Sequence, residues 1–273
     1  MDRVAAIQMN SSSGVGHNLD RAADLINQSV KSGATLVVLP ENFALMPRHE
    51  SDRLAIAEDP GHGPIQEFLA GQAKDHGIWL VGGSLPMKTA GGDKFLATCL
   101  FFEPDGRCAA RYDKIHLFDV VVSDSEAYRE SDYFEAGDVG SENQVCVDTP
   151  QGRLGLTICY DVRFPELYRR LSGRGATILT VPSAFTATTG QAHWETLLRA
   201  RAIENLAYVI APGQSGTHDS GRITFGHSMI VDPWGKILDR LTDELEGVVI
   251  ADIDQDRLKS IRRYFPSLQH RRL

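Results

Sequence analysis

The run "ATLVVLP", residues 34–40, carries no charged side chain and only one hydroxyl, so neither face of a strand built from it is suited to meet water. A strand apolar on both faces belongs in a sheet covered on both sides, the habit of parallel strands joined through helices. The flanking sequence supplies those helices. "NLDRAADLINQSVKSG" spaces Leu19, Ala22, Ala23, Leu25, Ile26 and Val30 at helical intervals and ends at Gly33. "PIQEFLAGQAKDHG" has Pro64 in its first turn and Gly77 at its end. With "RVAAIQM" as an opening strand, the first third predicts alternating strands and helices.

The alternation then breaks. "IWLVGGSLP", "FLATCLFFEP" and "GRCAARYDK" follow one another as strands, and Asp105-Gly106 is a hairpin signal between the last two. The second half repeats the theme. A hairpin "QVCVDTPQGRLGLTICYD" leads into the helix "PELYRRLSGRG", then the strand "ATILTVPSA", the helix "HWETLLRARAIENLA" and the strand "YVIAPGQ". A last hairpin, "GHSMIVDPWGKILDRL", turns at "DPWG". "GVVIADID" and a short terminal helix close the chain. Two mixed sheets packed together with helices outside are predicted, as one domain over residues 1–273, because no Pro/Gly/Ser linker divides them. Residues 118–140 are long, polar and aperiodic, and are read as a functional or mobile connection.

With 273 residues, 42% hydrophobic content and a net charge of −8, the composition is that of a globular protein without nucleic-acid affinity. The basic tail "RLKSIRRYFPSLQHRRL" is read as a terminal segment docking on an acidic surface. No apolar stretch reaches the roughly 18 residues of a membrane helix, and the first residues do not read as a signal peptide. Cys99, Cys108 and Cys146 are read as buried free thiols, which predicts a reducing, cytoplasmic location. Neither the cysteines nor the nine histidines form a metal-binding cluster, so no metal is expected.

Three residues with chemical potential end predicted strands: Glu41 after "TLVVLP", Lys114 after "CAARYD" and Cys159 after "LGLTI". In α/β sheets, sites assemble at the carboxyl ends of strands. Taken singly, each has a bland reading: a solvated loop acid, a surface lysine, a small core thiol. Their shared position favours the joint reading.

These residues resemble a known family. "LPEN", "YDKIHLFD" and "ICYDVRFPEL" are similar to the three motifs of the nitrilase, or carbon–nitrogen hydrolase, superfamily, which supply Glu, Lys and Cys in that order. The resemblance covers essentially the whole chain. It implies a four-layer αββα sandwich with two mixed sheets, commonly a homodimer, that hydrolyses small-molecule amides with no cofactor. A thiol is a weak nucleophile at pH 7 unless a base or a lowered pKa activates it. Glu41 is therefore expected to act as general base on Cys159, its carboxyl raised by burial, with a helix N-terminus near the thiolate. Lys114 and the backbone N–H of Tyr160 are expected to stabilise the oxyanion. By resemblance a second glutamate follows the Lys motif. "YRES" places it at Glu130, with Glu126 and Glu135 as neighbouring alternatives, and its role is to orient Lys114 and the substrate nitrogen.

"CYDVRFPELYRRL", "HWETLLRARAIEN" and "GHSMIVDPWG" resemble the Nit branch, whose substrates are 2-oxo-acid amides ending in a carboxylate. Arg163 and Arg222 are candidate guanidinium clamps for that carboxylate, with His116, Tyr160, Phe185 and Thr186 as further substrate-binding candidates. "GQSGTH" and "FPSLQHRR" resemble the members that cleave deaminated glutathione to 2-oxoglutarate and cysteinylglycine. An omega-amidase on alpha-ketoglutaramate, or a broader short aliphatic amidase, is the alternative. A nitrilase proper is disfavoured by the lack of Cys-Trp-Glu, and a non-catalytic interaction protein of the same fold by retention of Glu41, Lys114 and Cys159. The "VVVSDSEAY" stretch departs from the branch in a loop expected to border the pocket.

Overall fold

A computed structural model describes residues 2–124, 126–140, 143 and 145–272. Ser125, in the 118–140 segment, and Gln144, at the start of "QVCVDTPQG", lie outside the described residues. The chain begins with β1 (Asp2–Gln8), α1 (Val15–Lys31), β2 (Leu36–Val38), α2 (Pro64–His76) and β3 (Trp79–Val81), as the opening alternation predicts. β1, β2 and β3 run parallel in register, Val4 beside Leu36 and Leu36 beside Trp79. Both faces of these strands are buried. Val4, Ala6, Leu36 and Val38 point to the core between the sheets, while Ala5, Ile7, Val37 and Leu39 pack under α1 and α2. That two-sided burial is why "ATLVVLP" lacks polar alternation.

β4 (Leu85–Lys88), β5 (Phe95–Phe102) and β6 (Cys108–Asp113) complete the antiparallel side of this sheet. "IWLVGGSLP" is one stretch along a single side of β5, with β6 on the other side, but it breaks at Gly82-Gly83-Ser84: Val81 lies beside Phe101 in β3 and Leu85 beside Thr98 in β4. Gly83 has φ +60°, and a Cβ there would lie 2.1 Å from the Pro40 carbonyl oxygen. The next side chain, Ser84, accepts a 3.0 Å hydrogen bond from the Asn42 amide, so this break buttresses the turn holding Glu41. Gly83→Ala is expected to lose about 2 kcal/mol or more of stability. Urea unfolding measures this, and a variant as stable as the parent would contradict it.

Residues 118–140 are not an unstructured connection. They form a two-stranded hairpin, β7 (Asp119–Ser123) and β8 (Glu126–Arg129), followed by a 3-10 turn at Glu130–Asp132. Phe118 packs against Tyr128 and Tyr160 at ring-centroid distances of 5.2 and 5.0 Å, contacts that supply the order a polar stretch lacks.

The second sheet contains β9 (Cys146–Thr149), β10 (Gly152–Leu156), β11 (Ile178–Thr180) and β12 (Tyr208–Ala211), with α3 (Pro165–Gly173) and α4 (Ala187–Asn205) over its outer face. A short hairpin, β13 (Ser215–Thr217) and β14 (Ile223–Phe225), precedes β15 (Met229–Val231) and β16 (Ile237–Arg240). β17 (Gly247–Ile253) returns to pair antiparallel with β1, and α5 (Gln255–Tyr264) follows. The strand orders are β17-β1-β2-β3-β5-β4, with β6 on β5, and β16-β15-β12-β11-β10-β9. The inner faces share one core, which makes an αββα sandwich.

α4 starts six residues before His193, where the helical spacing becomes legible. Thr186 caps it by accepting from the Thr189 amide. "TATTG" masks that first turn because threonine and glycine are weak helix formers. Gly190 is needed there: a Cβ would meet the Phe225 ring at 2.3 Å.

The tail makes acidic contacts, Arg257 to Asp232 at 3.1 Å and Lys259 to Asp256 at 3.2 Å among them, but its principal anchor is different. Arg262 donates 2.9 Å bonds to the carbonyls of Leu206 and Ala176, beyond the ends of α4 and α3, where a cation is electrostatically favoured. Cys99 is buried as expected, whereas Cys146 is half-buried and Cys108 is exposed on the outermost strand β6. Among the described residues no helix is long and apolar enough to cross a membrane.

Candidate active site

Between β10 and α3 the chain makes a 3-10 turn, Cys159–Arg163, so strand does not pass straight into α-helix. Cys159 has φ +45°, a left-handed conformation that non-glycine residues adopt only when the surroundings impose it. Here they do. The Cys159 amide donates to Pro182 O at 2.8 Å, and the Ile158 amide donates to Asp161 Oδ2 at 2.8 Å. Asp161 is fully buried and also accepts from Tyr112 Oη at 2.6 Å, with His116 Nδ1 2.7 Å from its other oxygen. Asp161 is thus the hub that fixes the turn, a role its place two residues after the cysteine did not reveal.

The structure brings the other strand-end residues to this turn. Lys114 Nζ donates to Glu41 Oε1 at 2.9 Å and to both oxygens of Glu130 at 2.9 Å. Glu41 Oε2 accepts from the Ala184 amide at 2.8 Å, and Gln214 Nε2 holds the Glu41 carbonyl at 3.1 Å. Glu130 is fixed by the Phe118 amide at 2.6 Å. Of its sequence neighbours, Glu126 bonds Tyr128 and Thr188, and Glu135 is exposed.

Burial pushes the Glu41 carboxyl up, but the charge and hydrogen bond of Lys114, with lesser help from the Cys159 thiol and Arg222, carry it below the usual carboxylate range. This reverses the expectation of a raised carboxyl: the ammonium outweighs desolvation. Burial likewise opposes the charge on Lys114, yet Glu130 and Glu41 raise it well above the ordinary lysine value. Burial and the Glu41 charge push the Cys159 thiol up, against the pull of Lys114. The resting site therefore holds a neutral thiol beside an ionised carboxylate, not a thiolate stabilised by a helix end.

These groups open into a cavity of about 340 Å³, within the range of small-molecule sites. Tyr160, Arg163, Phe185, Thr186 and Arg222 line it, as expected. His116 does not: its ring stacks on Phe164 at 3.7 Å and turns to Asp161, making it a support of the nucleophile turn. Arg53, Asn42 and Tyr128 also line the cavity, although nothing in their local sequence marks them. Arg53 is buried and paired with Glu50 at 2.7 Å and Asn42 at 2.9 Å. Arg163 lies 5.0 Å over the Phe185 ring, with its Nη1 3.1 Å from His193 Nδ1. Among the described residues no three His, Cys, Asp or Glu side chains are grouped to hold a metal ion.

The "GQSGTH" stretch lies behind the cavity wall. Gln214 joins Ser11 to the Glu41 backbone, and the buried His218 bridges Ser11 O and Thr224 Oγ1 at 2.9 and 2.7 Å. It shapes the wall without lining it.

Residues 3–263 match the family model described as carbon-nitrogen hydrolase. The chain is 47% identical over 268 residues to a deaminated glutathione amidase of Synechocystis sp., covering 98% of this chain and 97% of that one. It is 40% identical over 271 residues to the omega-amidase NIT2 of Mus musculus, covering 99% and 95%. The crystal structure of the C. elegans NitFhit protein superposes with a TM-score of 0.91 at 39% identity, covering 99% of this chain and 65% of that longer one.

Proposed function

The chain belongs to the carbon–nitrogen hydrolase family and is a hydrolase of C–N bonds, and we propose that the bond it cuts is the amide of deaminated glutathione, giving 2-oxoglutarate and cysteinylglycine. The observation that carries this reading is the convergence of Cys159, Glu41, Lys114 and Glu130 on a cavity that also presents guanidinium groups.

Because the thiol is neutral at rest, Glu41 takes its proton as Sγ attacks the amide carbon. The oxygen that becomes negative is met by Lys114 Nζ and by the Tyr160 amide, since the Cys159 amide is committed to Pro182. Glu130, bidentate on Lys114, holds the ammonium in place and keeps it charged. Collapse breaks the C–N bond, and the Glu41 proton passes to the departing amine. Glu41, ionised again, takes a proton from water as that water attacks the thioester. The thiolate leaves, recovers the proton, and the acid is released. A carboxyl held below its ordinary range stays ionised for the base steps, although as a weaker base, and its acid form is correspondingly strong for the leaving nitrogen. On the acyl side, Arg163 over Phe185, beside Thr186, receives the 2-oxo-acid carboxylate.

The experiment compares release of cysteinylglycine from deaminated glutathione with release of ammonia from alpha-ketoglutaramate. The first is expected to have a kcat/KM at least about tenfold higher, which corresponds to one additional charge-assisted contact. The 40% identity to a named omega-amidase supports the second reading. A large preference for alpha-ketoglutaramate would select it.

A further inference from the structure

Deaminated glutathione has two carboxylates, one at the end of its acyl half and one at the end of the cysteinylglycine half. Alpha-ketoglutaramate has only the first. Four arginines line the cavity, and two of them, Arg163 and Arg222, contact a histidine nitrogen and a backbone carbonyl and pair with no carboxylate among the described residues. Arg53, by contrast, is neutralised by Glu50, and Arg129 lies at the exposed part of the lining.

The two guanidiniums without a carboxylate partner neighbour different members of the site. Arg163 is on the nucleophile's own turn, against Phe185 and Tyr160. Arg222 is on the Glu41 side. Its Nη2 donates 2.7 Å to Ala184 O, and the amide of the same Ala184 donates 2.8 Å to Glu41 Oε2. Its Cζ lies 4.9 Å over the ring of Tyr128, two residues before Glu130. Glu41 returns its proton to the departing nitrogen, so the leaving half of the substrate lies toward Glu41 and therefore toward Arg222. Arg222 Nε is also buried without a hydrogen-bond partner, a donor left open in the cavity wall.

We infer that Arg222, seated on Tyr128, is the subsite for the carboxylate of a peptide-like leaving group, and so the residue that separates a cysteinylglycine amide from a primary amide. This rests on the function proposed above. A hairpin residue supplies the aromatic seat, which gives the β7–β8 segment a part in choosing the substrate.

The test uses deaminated glutathione and its C-terminal amide, which differ only in the leaving-group charge, with alpha-ketoglutaramate as a third substrate. The parent protein is expected to prefer the acid over the amide by about tenfold or more in kcat/KM. Arg222→Met is expected to bring that ratio close to one and to lose at least about tenfold more on deaminated glutathione than on alpha-ketoglutaramate, with Arg222→Lys restoring part of the ratio. An unchanged ratio in Arg222→Met, or equal losses on all three substrates, overturns the inference and leaves the proposed function standing. Turnover of neither glutathione-derived substrate by the parent protein overturns the proposed function, and the inference with it. Should Arg222→Met fail to fold, Tyr128→Leu removes the seat without touching the Ala184 contact. A reduced acid-to-amide ratio then supports the subsite, and an unchanged one overturns it.

Discussion

Cys159→Ala is expected to lower turnover of any amide substrate by about a millionfold, the scale seen when a covalent nucleophile is removed. The protein should remain folded. The side chain is small, and although buried it borders a cavity, so losing Sγ deletes little packing. The left-handed backbone at residue 159 is imposed by the Pro182 and Asp161 contacts, neither of which uses the thiol. Unfolding midpoints within about 1–2 kcal/mol of the parent are the expected companion result, the range of an ordinary substitution. Undiminished hydrolysis in this variant would falsify the thioester route.

Lys114→Met has the second largest expected effect, and it acts on both catalysis and stability. Lys114 is buried between two carboxylates, each at 2.9 Å. Deleting the ammonium leaves Glu41 and Glu130 facing one another without a counter-charge, and breaking such a buried pair typically costs about 3–5 kcal/mol. The oxyanion also loses its cation, so kcat/KM should fall by about a thousandfold or more. The remaining activity should titrate differently. In the parent, Glu41 is held below its ordinary value, so the ionised base persists until pH falls below about 4.3. Without Lys114, burial outweighs the lesser pull of Cys159 and Arg222, and the acid limb moves upward. Stability follows the same groups. A depressed carboxyl contributes above its unfolded pKa and is lost as pH falls through the folded one. A raised lysine contributes fully below its unfolded pKa, about 10.4, and loses that contribution as pH rises through the folded value. The parent should therefore hold this pair's full contribution between about pH 4.3 and 10.4, and Lys114→Met should lack it across that window.

What was legible in the sequence is what burial writes into residue type. Val37 and Leu39 face the helices while Leu36 and Val38 face the second sheet, so "TLVVLP" announces a strand covered on both sides. The strand-end positions of Glu41, Lys114 and Cys159 followed from those strands. Contacts made only in three dimensions were not legible. The β7–β8 hairpin is polar, and its order comes from Phe118, Tyr128 and Tyr160 meeting across the chain. The downward shift of Glu41 depends on Lys114, 73 residues away, and burial alone gives the opposite sign. His116 looked like a pocket residue because it follows Lys114 by two, but the strand end turns its ring to Asp161 and Phe164. Gln214 looked like a substrate signature, and its side chain instead braces the wall behind Glu41.

The pairing of β1 with β17 has a consequence during synthesis. Arg3 meets its partner Asp252 across 249 residues. At ribosomal rates of roughly 5–20 residues per second, the outer edge of β1 waits about 12 to 50 s for the strand that covers it. The first strand is apolar from Val4 to Ile7, and an uncovered edge of that kind is a template for pairing with other chains. The half-made protein therefore depends on shielding of that edge, and its yield in a cell should respond to temperature and chaperone supply more steeply than the stability of the finished molecule does.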